Sequence, residues 1–459
     1  MAVYEKLCDY SNGKWVRTKR GPLYNSSSCV KIFQNQNCLS NGRPDSGFLH
    51  WRWKPSECHL PRFNPNIFLQ LISNKHVAFI GDSLSMNHLS SLLCMLSTVS
   101  KPKNVHHRGS HWWLFRSHNA TMSFYWSPFL VEGDQRKFPG QLYNTVYLDR
   151  VNMRWARDMD QMDMIVLSFG HWFMGGKVLG CMKHPVSNCT VDIGFGGPIR
   201  RALKVGKGNN GVDVIVTTYS PAHFEGDWDK GGTCSKTKPY AVRARQLEGE
   251  NAQIRMIEME EVEKAKKRAK KLRGFRLELL DITKLALLRP DGHPGAYMNP
   301  FPFANGVPKA VQNDCVHWCL PGPIDTWSEV AFVFAARVGC GGSRSGDGSS
   351  SRKIFAKLIS FDKQLYKQDI RGKHSACVDA SSLGQDSIIE GLEETERRIM
   401  NGEFNWRADR EDVLMNIGEP AKKLHTARSR NDQVFTDFHL WCRDAIDEIL
   451  VSMKLLQDI

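Results

Sequence analysis

A serine that could act as a nucleophile stands in the stretch "HVAFIGDSLS". Residues 76–80 form a short apolar run typical of a buried strand, the chain turns at Gly81-Asp82, and Ser83 begins a stretch with helical patterning. A helix that starts at Ser83 points free N–H groups at the same place, and such groups stabilise a negatively charged oxygen. The position equally suits a serine that only caps the helix. Gly-Asp-Ser alone therefore leaves both roles open.

A serine hydroxyl is a weak nucleophile, and it needs a histidine base that a third group holds in the right tautomer. Two of the sixteen histidines are candidates: His293 has Asp291 two residues earlier in "DGHP", and His317 has Asp314 three residues earlier in "NDCVHWC". The i,i+3 spacing of the second pair lets the carboxylate reach the imidazole within one turn of chain. A purely structural role is the alternative for either histidine.

The cysteines indicate disulfides rather than a metal site. Cys315, His317 and Cys319 have ligand-like spacing, but the sequence holds no C-x-x-C partner, so we predict that no metal is bound. Ten of the thirteen cysteines precede residue 320. Three N-x-S/T sequons, at Asn25, Asn119 and Asn188, accompany them. This combination is typical of an oxidising compartment.

Four apolar runs must form the framework that positions these side chains, at residues 76–81, 162–170, 212–220 and 275–283. Helical stretches separate them, which predicts a largely parallel sheet with helices on both faces. Ligands bind beyond the carboxyl ends of such strands, and Ser83 follows one of those ends. The Cys- and Trp-rich opening, up to about residue 70, is expected to be poor in strands.

Bulk properties exclude several functional classes. At 459 residues the chain is longer than a single hydrophobic core usually accommodates, so we expect two domains or one large domain with an appendage. The formal net charge is +14, but the basic run at 264–274 follows an acidic run on one predicted helix, where a solvated face of Glu/Lys pairs is expected. We predict no nucleic-acid partner. No apolar run is long enough for a membrane span, and the opening residues are too polar for a signal peptide.

Five further sequence blocks, in a fixed order with "GDS", resemble the plant trichome birefringence-like family of polysaccharide O-acetyltransferases: "GRPDSGFLHWRWKPSECHLPRF", "YWSPFLV", "GHWF", "LLDITKLALLRPDGHPGAY" and "DCVHWCLPGPIDTWSE". The family is related to the GDSL/SGNH serine esterases, and the resemblance covers about residues 5–331. It implies an α/β fold of three layers with mainly parallel strands. It also implies a triad of Ser83, His317 and Asp314, which leaves His293 structural or lining the substrate site.

The resemblance assigns further roles. Oxyanion donors are expected at Ser83 and Gly109, substrate contacts at His171 and Trp172, and further sugar-stacking candidates are Trp112, Trp113 and Trp126. It implies disulfides Cys8–Cys58, Cys29–Cys94, Cys38–Cys319 and Cys234–Cys315. It also implies that no cofactor is bound, that the acetyl donor, for example acetyl-CoA, is a co-substrate, and that the acceptor is a cell-wall polysaccharide such as xylan. A carbohydrate esterase with the same triad and a non-catalytic wall-binding protein are the alternatives.

The sequence departs from the family pattern at three places. Ser168 stands where many members have asparagine in the "GHWF" block, and "SLSMNH" lacks the arginine usual after the nucleophile. Members normally start with a cytoplasmic tail and one membrane anchor that holds them in the Golgi. We expect a Golgi location by resemblance, although this sequence shows no anchor.

The end of the chain resembles a different family, argininosuccinate lyase, over about residues 359–459. Ser429, Arg430 and Asn431 match its substrate loop, where arginine and amide donors suit a dicarboxylate. Only an N-terminal part of that enzyme is represented, so this helical segment is predicted to be inactive. A mis-joined gene is the plainer explanation, and a lyase-type polypeptide is another alternative. The predicted divisions are 1–70 (N-terminal part), 71–335 (catalytic domain), 336–358 (Gly/Ser linker) and 359–459.

Overall fold

A computed structural model describes residues 9–29, 32–138, 141–174, 177–182, 188–191, 212–242, 244–269, 276–306 and 311–340. These residues belong to one compact unit, Asp9–Leu358. The lyase-like segment, with Ser429, Arg430 and Asn431, lies outside the described residues. Nearly all of the predicted linker does so too, and its first residues, up to Cys340, continue a helix. The predicted domain divisions stay predictions.

The strands, in chain order, are β1 (Gly13–Arg17), β2 (Trp51–Pro55), β3 (His76–Gly81), β4 (Lys103–His107), β5 (Ser110–Phe115), β6 (Ala120–Trp126), β7 (Val131–Phe138), β8 (Gln141–Val151), β9 (Met164–Ser168), β10 (Lys177–Met182), β11 (Asn188–Val191), β12 (Asp213–Thr217) and β13 (Arg276–Leu280). The α-helices are α1 (Pro65–Leu71), α2 (Ser83–Ser97), α3 (Met153–Ala156), α4 (His171–Met174), α5 (Gly249–Ala269), α6 (Thr283–Leu287) and α7 (Asp325–Cys340). Short 3-10 turns connect several of them.

The central sheet has seven strands in the order β13-β12-β9-β3-β6-β5-β4. The first five run parallel to one another, and β5 and β4 are antiparallel additions at one edge. All four predicted apolar runs are strands of this sheet, so the parallel-rich α/β framework is confirmed. Strand β3 lies in the middle, and its carboxyl end delivers Ser83 to the edge where ligands bind in such sheets.

Side chains alternate between the two faces of β3, and each set packs against helices. Ala78 and Ile80 belong to a buried cluster with Val262 and Ala265 of α5. Val77 and Phe79 line a small apolar cavity on the other face, together with residues of α1, α2 and α7. Because both faces of the strand are covered, its run is apolar throughout rather than alternating. The three-layer arrangement follows from this packing.

The opening is poor in strands, as expected, and holds β1 and β2, which pair antiparallel from Gly13↔Pro55 to Arg17↔Trp51. Two features differ from the sequence expectations. A second sheet of order β11-β10-β8-β7 was not predicted, because its polar and glycine-containing strands lack an apolar run. The acidic part of α5 is not wholly solvated. Glu258 and Glu261 are buried, whereas Lys264 and Glu260 do form a surface i,i+4 pair.

Across the part of the chain that the structure describes, no helix is both long and apolar enough to cross a membrane.

Candidate active site

The turn between β3 and α2 is built around a close contact with β9. A Cβ at Gly81 would lie 1.7 Å from the carbonyl oxygen of Ser168, so only glycine fits. The next amide, that of Asp82, donates to the same oxygen at 3.2 Å. Asp82 is the N-cap of α2, and its Oδ1 accepts from the Leu84 N–H at 3.0 Å. Ser83 is thereby fixed, half-buried, as the first helical residue.

Asp314 and His317 form the predicted pair. The Nδ1 of His317 lies 2.8 Å from the Asp314 Oδ2, while the Asp314 Oδ1 accepts from the N–H groups of Val316 and His317 at 3.0 and 2.9 Å. One carboxylate thus shapes the turn and orients the ring. Because Nδ1 faces a carboxylate, it carries the hydrogen, and Nε2 is left as the basic nitrogen.

Electrostatics strengthen this pair. Burial alone would raise the Asp314 pKa, but hydrogen bonds and charge from His317 outweigh it and lower that pKa to about 2. Burial alone would lower the His317 pKa, but the hydrogen bond and charge of Asp314, with the charge of Asp82, raise it above the ordinary value. Asp82 is the residue before Ser83, at the start of α2. Burial raises the pKa of Asp82 itself to about 6.

Asn87 links the histidine turn to the serine helix, and sequence reasoning missed it. Its Oδ1 accepts from the Trp318 N–H at 2.7 Å, and its Nδ2 donates to the Trp318 carbonyl at 3.3 Å. Asn87 lies four residues after Ser83, on the same side of α2. The peptide that follows His317 is therefore held against the turn of helix that begins with Ser83. The only signal in the sequence was that i,i+4 spacing.

His171 and Trp172 follow β9, which is a neighbour of β3 in the sheet. The His171 Nε2 lies 2.7 Å from the Ser220 carbonyl, and burial lowers the His171 pKa to about 4. The ring is therefore neutral near pH 7, with its hydrogen on Nε2 and an acceptor lone pair on Nδ1. Tyr219 and Ser220 lie in the loop after β12. The buried Glu258 of α5 supports that loop by accepting from the Tyr219 N–H at 2.8 Å.

Two tryptophans meet across the carboxyl end of β3. Trp126 ends β6 and Trp172 follows β9, the two strands that flank β3. Their ring centroids are 5.6 Å apart in an edge-to-face arrangement. Trp126 is 37% exposed, so its ring is available to a ligand. The other two stacking candidates lie on β5, where Trp112 packs between His76 and His107, and Trp113 packs against His111.

Gly109 lies away from the serine. It occupies the exposed turn between β4 and β5, with φ +80°, at the same end of the sheet as Ser83. Strands β5 and β6 separate it from β3, which corresponds to about 10 Å across the sheet at a spacing of about 4.8 Å per strand. An oxyanion contact from Gly109 would require the turn to move.

Disulfides enclose the histidine turn. Cys234–Cys315 and Cys38–Cys319 lie on either side of His317, and Cys29–Cys94 ties the opening segment to α2. Cys58 is also disulfide-bonded, while its expected partner Cys8 lies outside the described residues. Cys315 and Cys319 are therefore not free thiolates. Within the described ranges, no cluster of side chains suited to a metal ion was found.

Comparison with known proteins identifies the family of the chain. Residues 60–333 match the PC-Esterase model, described as a GDSL/SGNH-like acyl-esterase family found in Pmr5 and Cas1p, and residues 6–59 match the PMR5 N-terminal domain. Residues 344–459 match a Lyase model, so the lyase resemblance of the tail is confirmed at that level.

Several plant proteins are similar over most of their length. Xyloglucan O-acetyltransferase 1 of Populus trichocarpa is 57% identical over 71% of this chain and 80% of its own, and xyloglucan O-acetyltransferase 1 of Arabidopsis thaliana is 50% identical over 72% and 81%. Protein trichome birefringence-like 25 of Arabidopsis thaliana is 41% identical over 70% and 75%. The chain thus belongs to the PC-esterase family, in its trichome birefringence-like group, and carries a lyase-like segment after the esterase domain.

Proposed function

We propose that this chain is a polysaccharide O-acetyltransferase that works through an acetyl ester on Ser83. The observation that carries the proposal is the Asp314–His317 pair, which Asn87 holds beside the helix that begins at Ser83. The family of the chain consists of acyl-esterases, in which a serine attacks an acyl carbonyl carbon.

The proposed reaction has two halves. The Nε2 of His317 takes the hydroxyl proton of Ser83, and Oγ attacks the carbonyl carbon of an acetyl donor such as acetyl-CoA. The tetrahedral intermediate collapses, the leaving thiolate takes the proton from His317, and acetyl-Ser83 remains. A sugar hydroxyl then attacks the ester while His317 takes its proton, and that proton returns to the Ser83 oxygen as the acetylated sugar leaves. Asp314 stays ionised throughout and stabilises the imidazolium.

The oxyanion of each intermediate needs donors. The Ser83 N–H lies in the first turn of α2, where backbone N–H groups have no intrahelical acceptor. One such donor contributes about 3 kcal/mol to the transition state in serine proteases. The proposal relies on Ser83 for this role, because Gly109 is two strands away.

Xyloglucan is the acceptor we favour over xylan, because three similar proteins with 50–57% identity are named xyloglucan O-acetyltransferases. Trp126 and Trp172 offer aromatic surface for a sugar ring. His171 offers an acceptor nitrogen for a sugar hydroxyl. We propose a Golgi location from the resemblance to the trichome birefringence-like family alone. The esterase alternative differs only in whether water or sugar reaches acetyl-Ser83.

The test is mass spectrometry of the full chain, made in an oxidising host and incubated with acetyl-CoA. We expect an acetyl group on Ser83 that disappears when xyloglucan oligosaccharide is added, with acetylated oligosaccharide as product. Ser83→Ala should abolish both signals. Ser97→Ala, in the same helix, should keep them because that hydroxyl bonds only the Leu93 carbonyl. Sugar acetylation by Ser83→Ala would overturn the proposal, and acetate release unaffected by sugar would favour the esterase.

For the lyase-like segment we propose no activity. Incubation of the full chain with argininosuccinate should release no fumarate, and fumarate above a no-protein control would contradict this.

A further inference from the structure

His293 and His223 form a hydrogen-bonded pair directly behind the His317 turn. The His223 Nδ1 lies 2.7 Å from the His293 Nε2. The outer nitrogens face backbone carbonyls: His223 Nε2 is 2.9 Å from the Leu287 oxygen, and His293 Nδ1 is 2.7 Å from the His317 oxygen. Four ring nitrogens thus take part in three short contacts, and two of those contacts end on atoms that can only accept.

The contacts fix a hydrogen count. A carbonyl oxygen carries no hydrogen, so both outer nitrogens must donate. Two neutral imidazoles have only two N–H groups, which would leave two bare lone pairs facing each other at 2.7 Å between the rings. Turning either ring would place a carbon where a nitrogen now stands. The two contacts to carbonyl oxygens, at 2.9 and 2.7 Å, are shorter than the usual 3.3–3.6 Å of C–H···O contacts, so a carbon does not fit at these positions.

We propose that His223 and His293 share one extra proton, carry a single positive charge between them, and act as a positioning pair that fixes the backbone of His317. This inference rests on the proposed function, since it concerns the same histidine turn. The central contact then becomes an N–H···N hydrogen bond, and all three contacts are satisfied at once.

The surroundings of the pair contain charges of both signs. The charged side chains that act on it include two carboxylates, Asp291 and Asp314, and two guanidiniums, Arg43 and Arg245. Asp291 is itself paired with Arg289, and Asp314 with His317. Burial lowers the pKa of both rings, and that of His293 most; the charge of Asp291 on His223 and that of Asp314 on His293 oppose only part of this effect. Arg43 is turned towards backbone, since it donates to the His293 and Asp291 carbonyls and pairs with Asp45.

Aromatic rings favour the charge. The His293 ring stacks on the indole of Trp318 with centroids 4.2 Å apart and planes 28° apart. A cation over the face of tryptophan is attracted by the negative π surface. Tyr240 also packs against His223, with centroids 6.3 Å apart. These contacts offset part of the desolvation of the buried charge.

The pair acts on the site through the backbone. The peptide between His317 and Trp318 is held on both sides, because His293 contacts its carbonyl and Asn87 accepts from its N–H. The Cys319 N–H donates to the Gly292 carbonyl at 2.9 Å. Loss of the shared proton removes one of the three hydrogen bonds at the pair. The turn that orients His317 is then held less firmly, because the network behind it has one hydrogen bond fewer. The rate should therefore fall as pH rises past the point where that proton leaves.

The first test reads the protons directly in the full chain. Nitrogen-15 NMR of histidine-labelled protein, with His223→Asn and His293→Asn used to assign the signals, should show three protonated ring nitrogens in the pair near neutral pH. Two protonated and two bare nitrogens would overturn the inference, even if acetyl transfer is intact. Because this readout needs no turnover, its result is separate from the fate of the proposed function.

The second test separates a shared proton from a merely structural contact. In His223→Asn the amide nitrogen takes the place of Nδ1 and can donate to a neutral His293, so the link no longer needs the extra proton. We expect the alkaline decline of kcat to disappear in this variant, while His106→Asn, at an exposed histidine of β4, keeps the wild-type profile. An unchanged alkaline limb, or a uniform loss at every pH, would count against the pair.

Discussion

Asn87 holds the backbone of Trp318 by two hydrogen bonds, one to its N–H and one to its carbonyl. Asn87 belongs to the helix that starts at Ser83, and Trp318 follows His317 directly. The asparagine therefore connects the helix of the proposed nucleophile to the turn of the proposed base, although Ser83 and His317 are 234 residues apart in sequence. The position of His317 depends on this link as much as on Asp314.

Asn87→Ala should lower kcat with little change in KM for the acetyl donor. The variant leaves a buried Trp318 N–H without its acceptor, which typically costs about 1–3 kcal/mol of stability. A shift of His317 of about 1 Å can reduce the rate by about a hundredfold. Initial rates and urea unfolding measure the two effects. Asn104→Ala, at an exposed position of β4, is the control and should change neither; a normal kcat in Asn87→Ala would show that the link is dispensable.

Asp314→Asn should reduce kcat by about 10⁴, as the corresponding change does in a serine protease triad. An amide can still accept from the Val316 and His317 N–H groups, so the turn should survive. It no longer favours the tautomer with hydrogen on Nδ1, and Nε2 loses its basic role. Steady-state kinetics and thermal unfolding check this, with Asp227→Asn on the surface as control. A loss of stability that matches the loss of rate would instead mean that Asp314 is only structural.

The acid limb of kcat/KM should have a midpoint above 6.5, because Asp314 and Asp82 raise the pKa of His317 against the effect of burial. His317 must be neutral to act as base, so activity rises with pH through that midpoint. The stability that His317 adds runs the other way: it is complete below 6.5 and is lost as pH rises through the raised pKa.

Asp82→Asn isolates the second of these carboxylates. Asparagine is a good N-cap, so α2 should remain, while removal of the charge should move the acid limb to lower pH. A pH–rate profile of both proteins measures the shift. An unmoved limb would mean that Asp82 does not act on His317.

Local patterns sufficed to predict the framework. The run 76–81 is apolar at every position because both faces of β3 are covered, so it was recognisable as a buried strand, and Gly81 was recognisable as a tight turn. The spacing of Asp314 and His317 places them on one turn, so their contact could be predicted from sequence neighbours alone. The family resemblance then predicted that Ser83 forms a triad with this pair.

Long-range contacts could not be predicted in the same way. The Asn87–Trp318 link joins residues 231 apart, and no local pattern distinguishes Asn87 from any polar residue of a helix. Glu258 looked like part of a solvated acidic face, yet it is buried beneath Tyr219 because α5 is covered on that side. The pairing of His223 with His293 likewise spans 70 residues and depends on the fold.

Removal of Cys234–Cys315, one of the two disulfides around His317, should reduce activity more than removal of Cys29–Cys94. Cys234→Ser/Cys315→Ser opens one support of the turn, and loss of a native disulfide typically costs about 2–5 kcal/mol. Cys29→Ser/Cys94→Ser is the matched control, because it removes a bridge of similar sequence separation, 65 against 81 residues, from the far part of α2.

We expect both double variants to unfold at lower temperature, and only the first to lose kcat at temperatures where both are folded. Differential scanning calorimetry and rates at a low temperature separate the effects. Equal losses of kcat in the two variants would show that the bridges serve stability alone.

Trp172→Ala should weaken polysaccharide binding and leave formation of acetyl-Ser83 intact. Trp172 packs edge-to-face on Trp126 and on Phe129. Its removal therefore leaves the partly exposed Trp126 ring without this support, and it also removes one proposed contact to the sugar. An aromatic contact of this kind is worth about 1 kcal/mol beyond its buried area, which predicts a rise in KM for xyloglucan oligosaccharide of about five- to tenfold. Trp228→Ala, at a side chain that is 71% exposed, is the control and should keep the wild-type KM. The acetyl adduct, followed by mass spectrometry without sugar, should form at the same rate in all three proteins. If the adduct forms more slowly in Trp172→Ala while KM is unchanged, Trp172 supports the serine turn rather than the acceptor, and the sugar site must lie elsewhere along the sheet edge.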